Sequence, residues 1–179
     1  MQDPEITDEF DGELDEDAQK NQFLTFQLGT ESYGIAICHV LEIVTIQKIT
    51  GVPDMPPYIK GVINLRGQVI PVMDVRLRFN MEFREYDDRT CVVVVQQQGH
   101  VVGLVVDTVA EVNTIPEENI APPPRSGRGG SDRFFEGLGK IDEQIKILLD
   151  VERLLESERE AFLSSAPEAA QESSALGPV

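Results

Sequence analysis

The sequence predicts an all-β body made of two small β subdomains that pack on one another over a shared apolar layer. Three observations predict it. Short β-branched runs recur along the chain between Gly, Pro and polar breaks. The body repeats itself once, in the same order. Each repeat, at about 65 residues, is too small to bury an adequate core alone, so the two must share one.

The elements follow in chain order. Residues 1–22 carry nine acids and one lysine and are expected to be a disordered leader. This start has neither a basic region nor an apolar core, so it is no secretion signal. "FLTFQL" (23–28) is the first strand, and "YGIAICHVLEIVTI" (33–46) reads as one long strand. Alternation in the latter puts Ala36, Cys38, Val40, Glu42, Val44 and Ile46 on one face and Ile35, Ile37, Leu41 and Ile43 on the other. Both faces are apolar, so both are expected to be covered. "GVINL" (61–65) and "QVIPVM" (68–73) flank Arg66-Gly67 as a tight hairpin, and Pro71 suits an edge strand or a bulge. "TCVVVVQQQ" (90–98), "HVVGLVVDTVAEV" (100–112) and "IKILLD" (145–150) complete the strands. In "DVERLLESEREAFL", helical spacing aligns Val151, Leu154, Leu155, Glu158 and Phe162 on one face. Residues 164–179 are a low-complexity Ala/Ser/Pro tail.

The repeat sets Gly34 on Gly103. Gly34, Val40, Glu42, Thr45 and Ile46 then match Gly103, Val109, Glu111, Thr114 and Ile115. Farther on, "GVINLRGQVIPVMDV" (61–75) lies over "GLGKIDEQIKILLDV" (137–151), with Gly, Gln, Asp and Val identical. The extra residues fall in "APPPRSGRGGSDR" (121–133), a loop composition that accepts insertion. The expected organisation is a leader at 1–22, a body at 23–155 divided near 23–86 and 87–155, and a helix end and tail at 156–179. The boundary is soft, because strands could be exchanged between the halves.

Charge narrows the function. The formal net charge is −17, of which the body carries only −5. A mildly acidic body lacks the clustered Lys and Arg that a nucleic-acid or anionic-membrane surface needs. No apolar run approaches the roughly 18 residues of a membrane span. Cys38 and Cys91 lie in apolar runs and read as two buried thiols of a reducing compartment rather than a disulfide.

No catalytic constellation assembles. His39 and Cys38 are strand neighbours with side chains on opposite faces, so they cannot share a metal. His100, beside Gly99 at a hairpin turn, reads as solvated. "GLGK" (137–140) fails as a phosphate loop, because Ile141 stands where Ser or Thr belongs and Phe134 where the first glycine belongs. No metal site and no cofactor are expected. Two weaker alternatives are a nucleic-acid-binding β-barrel and an enzyme of unrecognised type.

Glu42 and Arg66 are the informative pair. A carboxylate in a two-sided apolar strand is costly unless paired. Arg66 lies in the same half, and a planar guanidinium suits a carboxylate. The equivalent turn of the second half carries Asp142-Glu143, so the halves share a scaffold but differ in charge at this vertex. "PDMPPYIKG" (53–61) adds Met55, Tyr58 and Ile59 on a Pro-stiffened segment nearby.

At these residues the sequence resembles the CheW-like family, the bacterial chemotaxis coupling proteins. The matching stretches are "FQLGTESYGIAICHVLEI", "PPYIKGVINLRGQVIPVMDVRLRF", "VGLVVDTVAEV" and "GLGKIDEQIKILLDVERLL", across about 23–155. The resemblance implies two five-stranded SH3-like β-barrels around a shared hydrophobic core, with short helices and a C-terminal helix. It implies an adaptor without catalytic activity, which holds the cytoplasmic tip of methyl-accepting chemotaxis receptors and the regulatory domain of the histidine kinase CheA in one complex. It places the protein in the cytoplasm, at receptor arrays on the inner face of the membrane, with no nucleic acid bound and no insertion into the bilayer. Val40, Glu42, Ile59, Gly61, Asn64, Arg66 and Gly67 are the expected partner-binding residues. With one helix and a tail after the body, the chain reads as a stand-alone coupler, the alternative inside the family being a paralogue that serves another receptor–kinase pathway such as surface motility.

Overall fold

The computed structural model describes residues 19–124 and 130–165. The first 18 residues of the acidic leader, the centre of the glycine-rich loop and the tail from 166 lie outside the described residues. The body is two sheets. One has six strands in the order β8-β1-β2-β11-β10-β9, the other five in the order β3-β6-β7-β5-β4. The strands are β1 (Gln22–Leu28), β2 (Glu31–Ala36), β3 (Val40–Thr45), β4 (Ile59–Leu65), β5 (Gln68–Asp74), β6 (Cys91–Gln97), β7 (His100–Val106), β8 (Thr108–Thr114), β9 (Ile120–Ala121), β10 (Phe135–Ile141) and β11 (Gln144–Leu149). Helices α1 (Val75–Arg78) and α2 (Val151–Ser165) follow β5 and β11.

The sheets do not follow the halves of the chain. The six-stranded sheet takes β1 and β2 from the first repeat and the rest from the second; the other takes β3, β4 and β5 from the first and β6 and β7 from the second. Strands are thus exchanged, and a cut near residue 86 separates the two repeats but runs through both sheets. The repeat itself is obeyed to the residue. Gly34 of β2 stands opposite Leu148 of β11, and Gly103 of β7 stands opposite Val72 of β5. A side chain at Gly34 would press on Leu148, and one at Gly103 would clash with Val92, which accounts for the matched glycines. The matched Asp-Val pairs are helix starts: Asp74 accepts from the Leu77 N–H and Asp150 from the Arg153 N–H.

The segment 33–46 is not one strand. Ile37–His39 form a 3-10 turn that carries the chain from β2 in one sheet to β3 in the other. Cys38 is therefore exposed, not buried, and Cys91 is half-buried. The strand alternation expected for Cys38 and His39 fails for the same reason. In β3, Val40, Glu42 and Val44 are half-buried while Leu41, Ile43 and Thr45 are exposed, so only one face of this edge strand is covered. Nor is β5 an edge: it runs between β7 and β4. Pro71 is tolerated because the parallel ladder to β7 begins one residue later, at Val72.

One core joins the sheets. Leu24, Phe26 and Ile35 of the first sheet pack in the same cluster as Met73, Val93, Val95 and Leu104 of the second. Phe26, Tyr33, Phe79 and Phe134 form a line of rings, with centroids 5.7–6.0 Å apart. Val151, Leu154 and Leu155 of α2 join this cluster on the face that helical spacing predicts. Glu158, on the same face, is buried and its Oε2 meets His100 Nε2, so His100 is a partner of the helix rather than a solvated turn residue.

Candidate partner-binding face

The turn Leu65–Gln68 closes with two residues, both with positive φ: Arg66 at 53° and Gly67 at 85°. This is the primed turn whose twist suits a hairpin. Glycine is at ease there; arginine is not, and local bonds hold it. The Gly67 N–H donates to Asn64 Oδ1 at 2.9 Å, which fastens the turn from within. Outside it, Arg66 Nη1 donates to Glu42 Oε2 and Nη2 to Glu42 Oε1, both at 2.6 Å. The geometry is the two-pronged guanidinium–carboxylate fork. Its hydrogen bonds to the Glu42 carboxylate raise the Arg66 guanidinium further above its ordinary value, so it is a permanent cation.

The fork has a structural consequence. β3 and β4 are the two edges of the five-stranded sheet, and the Arg66 turn is the tip of the β4–β5 hairpin. Arg66 and Glu42 thus tie one end of the sheet to the other. The Arg66 side chain is still 74% exposed and Glu42 25%. An exposed ion pair stabilises a fold little. Its effect is to fix where a cation points. Leu41 and Ile43 flank Glu42 and are 53% and 42% exposed, and Val69 beside the turn is 65% exposed.

The expected site residues divide into two groups. Glu42, Asn64, Arg66 and Gly67 come together at the turn. Val40 stands at the start of β3, half-buried against the central core and paired with Val95. Ile59 does not reach the surface: it is 5% exposed and belongs to the core, because the bulge at the start of β4 turns it inward. Gly61 is also buried. Its φ is +140°, and a Cβ there would run into the Thr50 carbonyl, which accepts the Val62 N–H at 2.9 Å. Ile59 and Gly61 shape the hairpin and present no surface to a partner. Leu41, Ile43 and Val69 were missed, because their apolar character is that of any core residue.

The second repeat lacks this arrangement. Glu111, Asp142 and Glu143 occupy the positions of Glu42, Arg66 and Gly67. With Asn113, Gln144 and Lys146 they border an open groove of about 670 Å³. Val112 and Ile145, equivalent to Ile43 and Val69, are again exposed. Among the described residues, no cluster of His, Cys, Asp or Glu is placed to hold a metal, and no helix is long and apolar enough to cross a membrane.

An apolar strand edge beside an immobilised, exposed arginine is the composition of a protein-contact surface. The fold and this face define a two-sheet β protein of the scaffolding kind. Comparison with known proteins narrows the class. The CheW-like domain family matches residues 22–159. Chemotaxis protein CheW of Klebsiella aerogenes is 40% identical over 144 residues, covering 80% of this chain and 87% of that protein. Protein FrzA of Myxococcus xanthus is 30% identical over 142 residues, covering 79% and 89%. The crystal structure of the scaffolding protein TtCheW from Thermoanaerobacter tengcongensis superposes with a TM-score of 0.67 at 37% identity, covering 72% of this chain and 88% of that one. The chain belongs to the CheW-like family.

Proposed function

We propose that this protein is a chemotaxis coupling adaptor, which links methyl-accepting receptors to the histidine kinase CheA by binding both. The observation that carries the reading is the Arg66–Glu42 fork at the uncovered edge of β3. Family membership and the likeness to CheW proteins and a CheW scaffold support it. The work is done by contact. Glu42 holds the guanidinium extended before a partner arrives, so less side-chain entropy is lost on binding. Leu41, Ile43 and Val69 supply apolar area to be desolvated, and Arg66 sets register. Val40, Glu42, Asn64, Arg66 and Gly67 form the face; Ile59 and Gly61 act through the hairpin they shape. The partners are the receptor's cytoplasmic tip and the CheA regulatory domain, which would place the protein in the cytoplasm at receptor arrays.

The test compares Arg66→Ala and Arg66→Lys with the parent chain in capture of the chain's own kinase and receptor fragments. Arg66→Ala should keep the β-type circular dichroism spectrum and weaken capture at least tenfold. Lysine should recover little, because it cannot make the fork. Unfolding of Arg66→Ala would instead make Arg66 a structural residue. The likeness to FrzA supports a second reading, a paralogue coupling a different receptor–kinase pair. Co-purification with one kinase rather than another separates the two.

A further inference from the structure

Helix α2 packs against β6 and the 3-10 turn Ser131–Phe134 through Val151, Leu154 and Leu155. One turn farther on, the same face carries Glu158, which is 1% exposed. A carboxylate in a core position is costly unless every oxygen is satisfied. Here Oε2 meets His100 Nε2 at the tip of the β6–β7 hairpin, while Oε1 is buried with no hydrogen-bond partner among the described residues. Among the described residues the joint therefore rests on one imidazole, whose side chain is 31% exposed.

The surroundings offer little to replace it. Among the described residues, β6 brings only the Cys91 thiol, and the 3-10 turn brings Asp132 and Arg133. Arg133 lies over the Phe134 ring. On the helix itself, Arg153 is engaged with Asp150 and the Arg133 carbonyl, and Glu152 and Glu156 are exposed. Two groups favour the ionised Glu158: His100, and Arg159, the next residue along the helix.

We propose that His100 and Glu158 form a proton-dependent latch, which keeps α2 on β6 while the pair holds a proton and releases the helix as pH rises. The direction follows from burial. Desolvation raises the Glu158 carboxyl above its ordinary range, against the opposing pull of His100. The docked helix thus holds a proton that the free helix gives up, so docking is strongest at low pH and lost as pH rises. Once the shared proton is gone, a buried carboxylate is left in an apolar layer, with Arg159 beside it on the helix as the remaining favourable charge. Val93 and Val95 lie in the same core cluster as Leu154 and Leu155, and are the strand partners of Ile43 and Val40. Release would uncover apolar surface behind β3. The latch itself does not depend on β3 being the partner face.

Amide hydrogen exchange on the full chain tests it, at about pH 6 and about pH 8.5 with intrinsic rates corrected. Peptides from 151–158 should lose roughly tenfold more protection than those of β1 and β2 at the higher pH. His100→Arg, which keeps the cation at every pH, should abolish that excess loss, and Glu158→Gln should do the same. Wild-type protection of α2 that is independent of pH would overturn the proposal. So would the same pH dependence surviving in His100→Arg, a substitution at a half-exposed position that leaves the core intact and decides the matter even if Glu158→Gln fails to fold.

Discussion

The Arg66 turn and the Asp142 turn occupy equivalent points of the two repeats, yet they present opposite charge. In the first, Arg66 reaches back to Glu42; in the second, Glu111 faces Asp142 and Glu143 across an open groove. Where the repeats agree, structure explains the agreement. The glycines at 34 and 103 admit a neighbouring strand, and the aspartates at 74 and 150 start helices. At the two turns the difference sits on the surface. Identity between the halves records what two copies of the scaffold need in order to fold; divergence records what one copy does alone. The two crossings between sheets make the same point inside the fold. The first passes through the exposed Cys38, the second through the nearly buried Asp107, at the equivalent position. Asp107 accepts from Arg76 Nε and Nη2, both at 2.7 Å, from Arg84 Nη1 at 3.1 Å and from the Gly29 N–H at 2.8 Å.

The largest effect should come from the hairpin glycines. Gly61→Ala should cost roughly 3 kcal/mol in denaturant unfolding, because the left-handed φ and the Thr50 carbonyl both oppose a Cβ. Gly137→Ala, without the left-handed φ, should cost less than half of that. Equal costs would mean that the two hairpins are strained alike.

Next is the pair of crossings. Asp107→Ala should cost ~3 kcal/mol, since it strands Arg76, while Cys38→Ala should stay within about 0.5 kcal/mol. Burial alone would raise the Asp107 carboxyl, but the hydrogen bonds from Arg76 and Gly29 outweigh it and hold the group below the usual carboxylate range. A lowered carboxyl stabilises the fold above its unfolded value, near pH 4, and that contribution is lost as pH falls through the folded value. Asp107→Asn should therefore flatten the acid limb of a stability–pH curve, and an unchanged limb would assign that limb to other carboxylates.

Smaller in stability but sharper for function are the two turns. Arg66→Ala should lower partner capture at least tenfold, and Asp142→Ala less than threefold; comparable losses would make both turns contact sites. Smallest in stability are the exposed apolar residues. Ile43→Ser and Val112→Ser should each change unfolding free energy by about 0.5 kcal/mol or less. Only Ile43→Ser should weaken capture, severalfold, as measured by co-sedimentation with receptor and kinase.

Much of this was legible in the residues. Most of the strand runs, the repeat, the buried face of α2 at Val151, Leu154 and Leu155 and the pairing of Glu42 with Arg66 follow from local pattern and chemical complementarity. The break at Ile37–His39 was not, because Ile, Cys and His read as strand on either side of a crossing. The exposure of Leu41 and Ile43 was not, because apolar character marks a side chain that prefers cover without saying whether this chain supplies it. The partners of Asp107 lie as far away as Gly29, Arg76 and Arg84, where no short-range pattern reaches.

By itself the sequence determined where most of the strand-forming runs lie, that the chain carries one scaffold twice, and that a cation tips one hairpin while acids tip the other. Those are properties of residues and their near neighbours. Only the tertiary structure decided that the halves trade strands, that one edge of the second sheet stays uncovered, and that Glu158 is buried on a single histidine. Each depends on which distant segments come to lie side by side, and that is settled by packing the whole chain over one core.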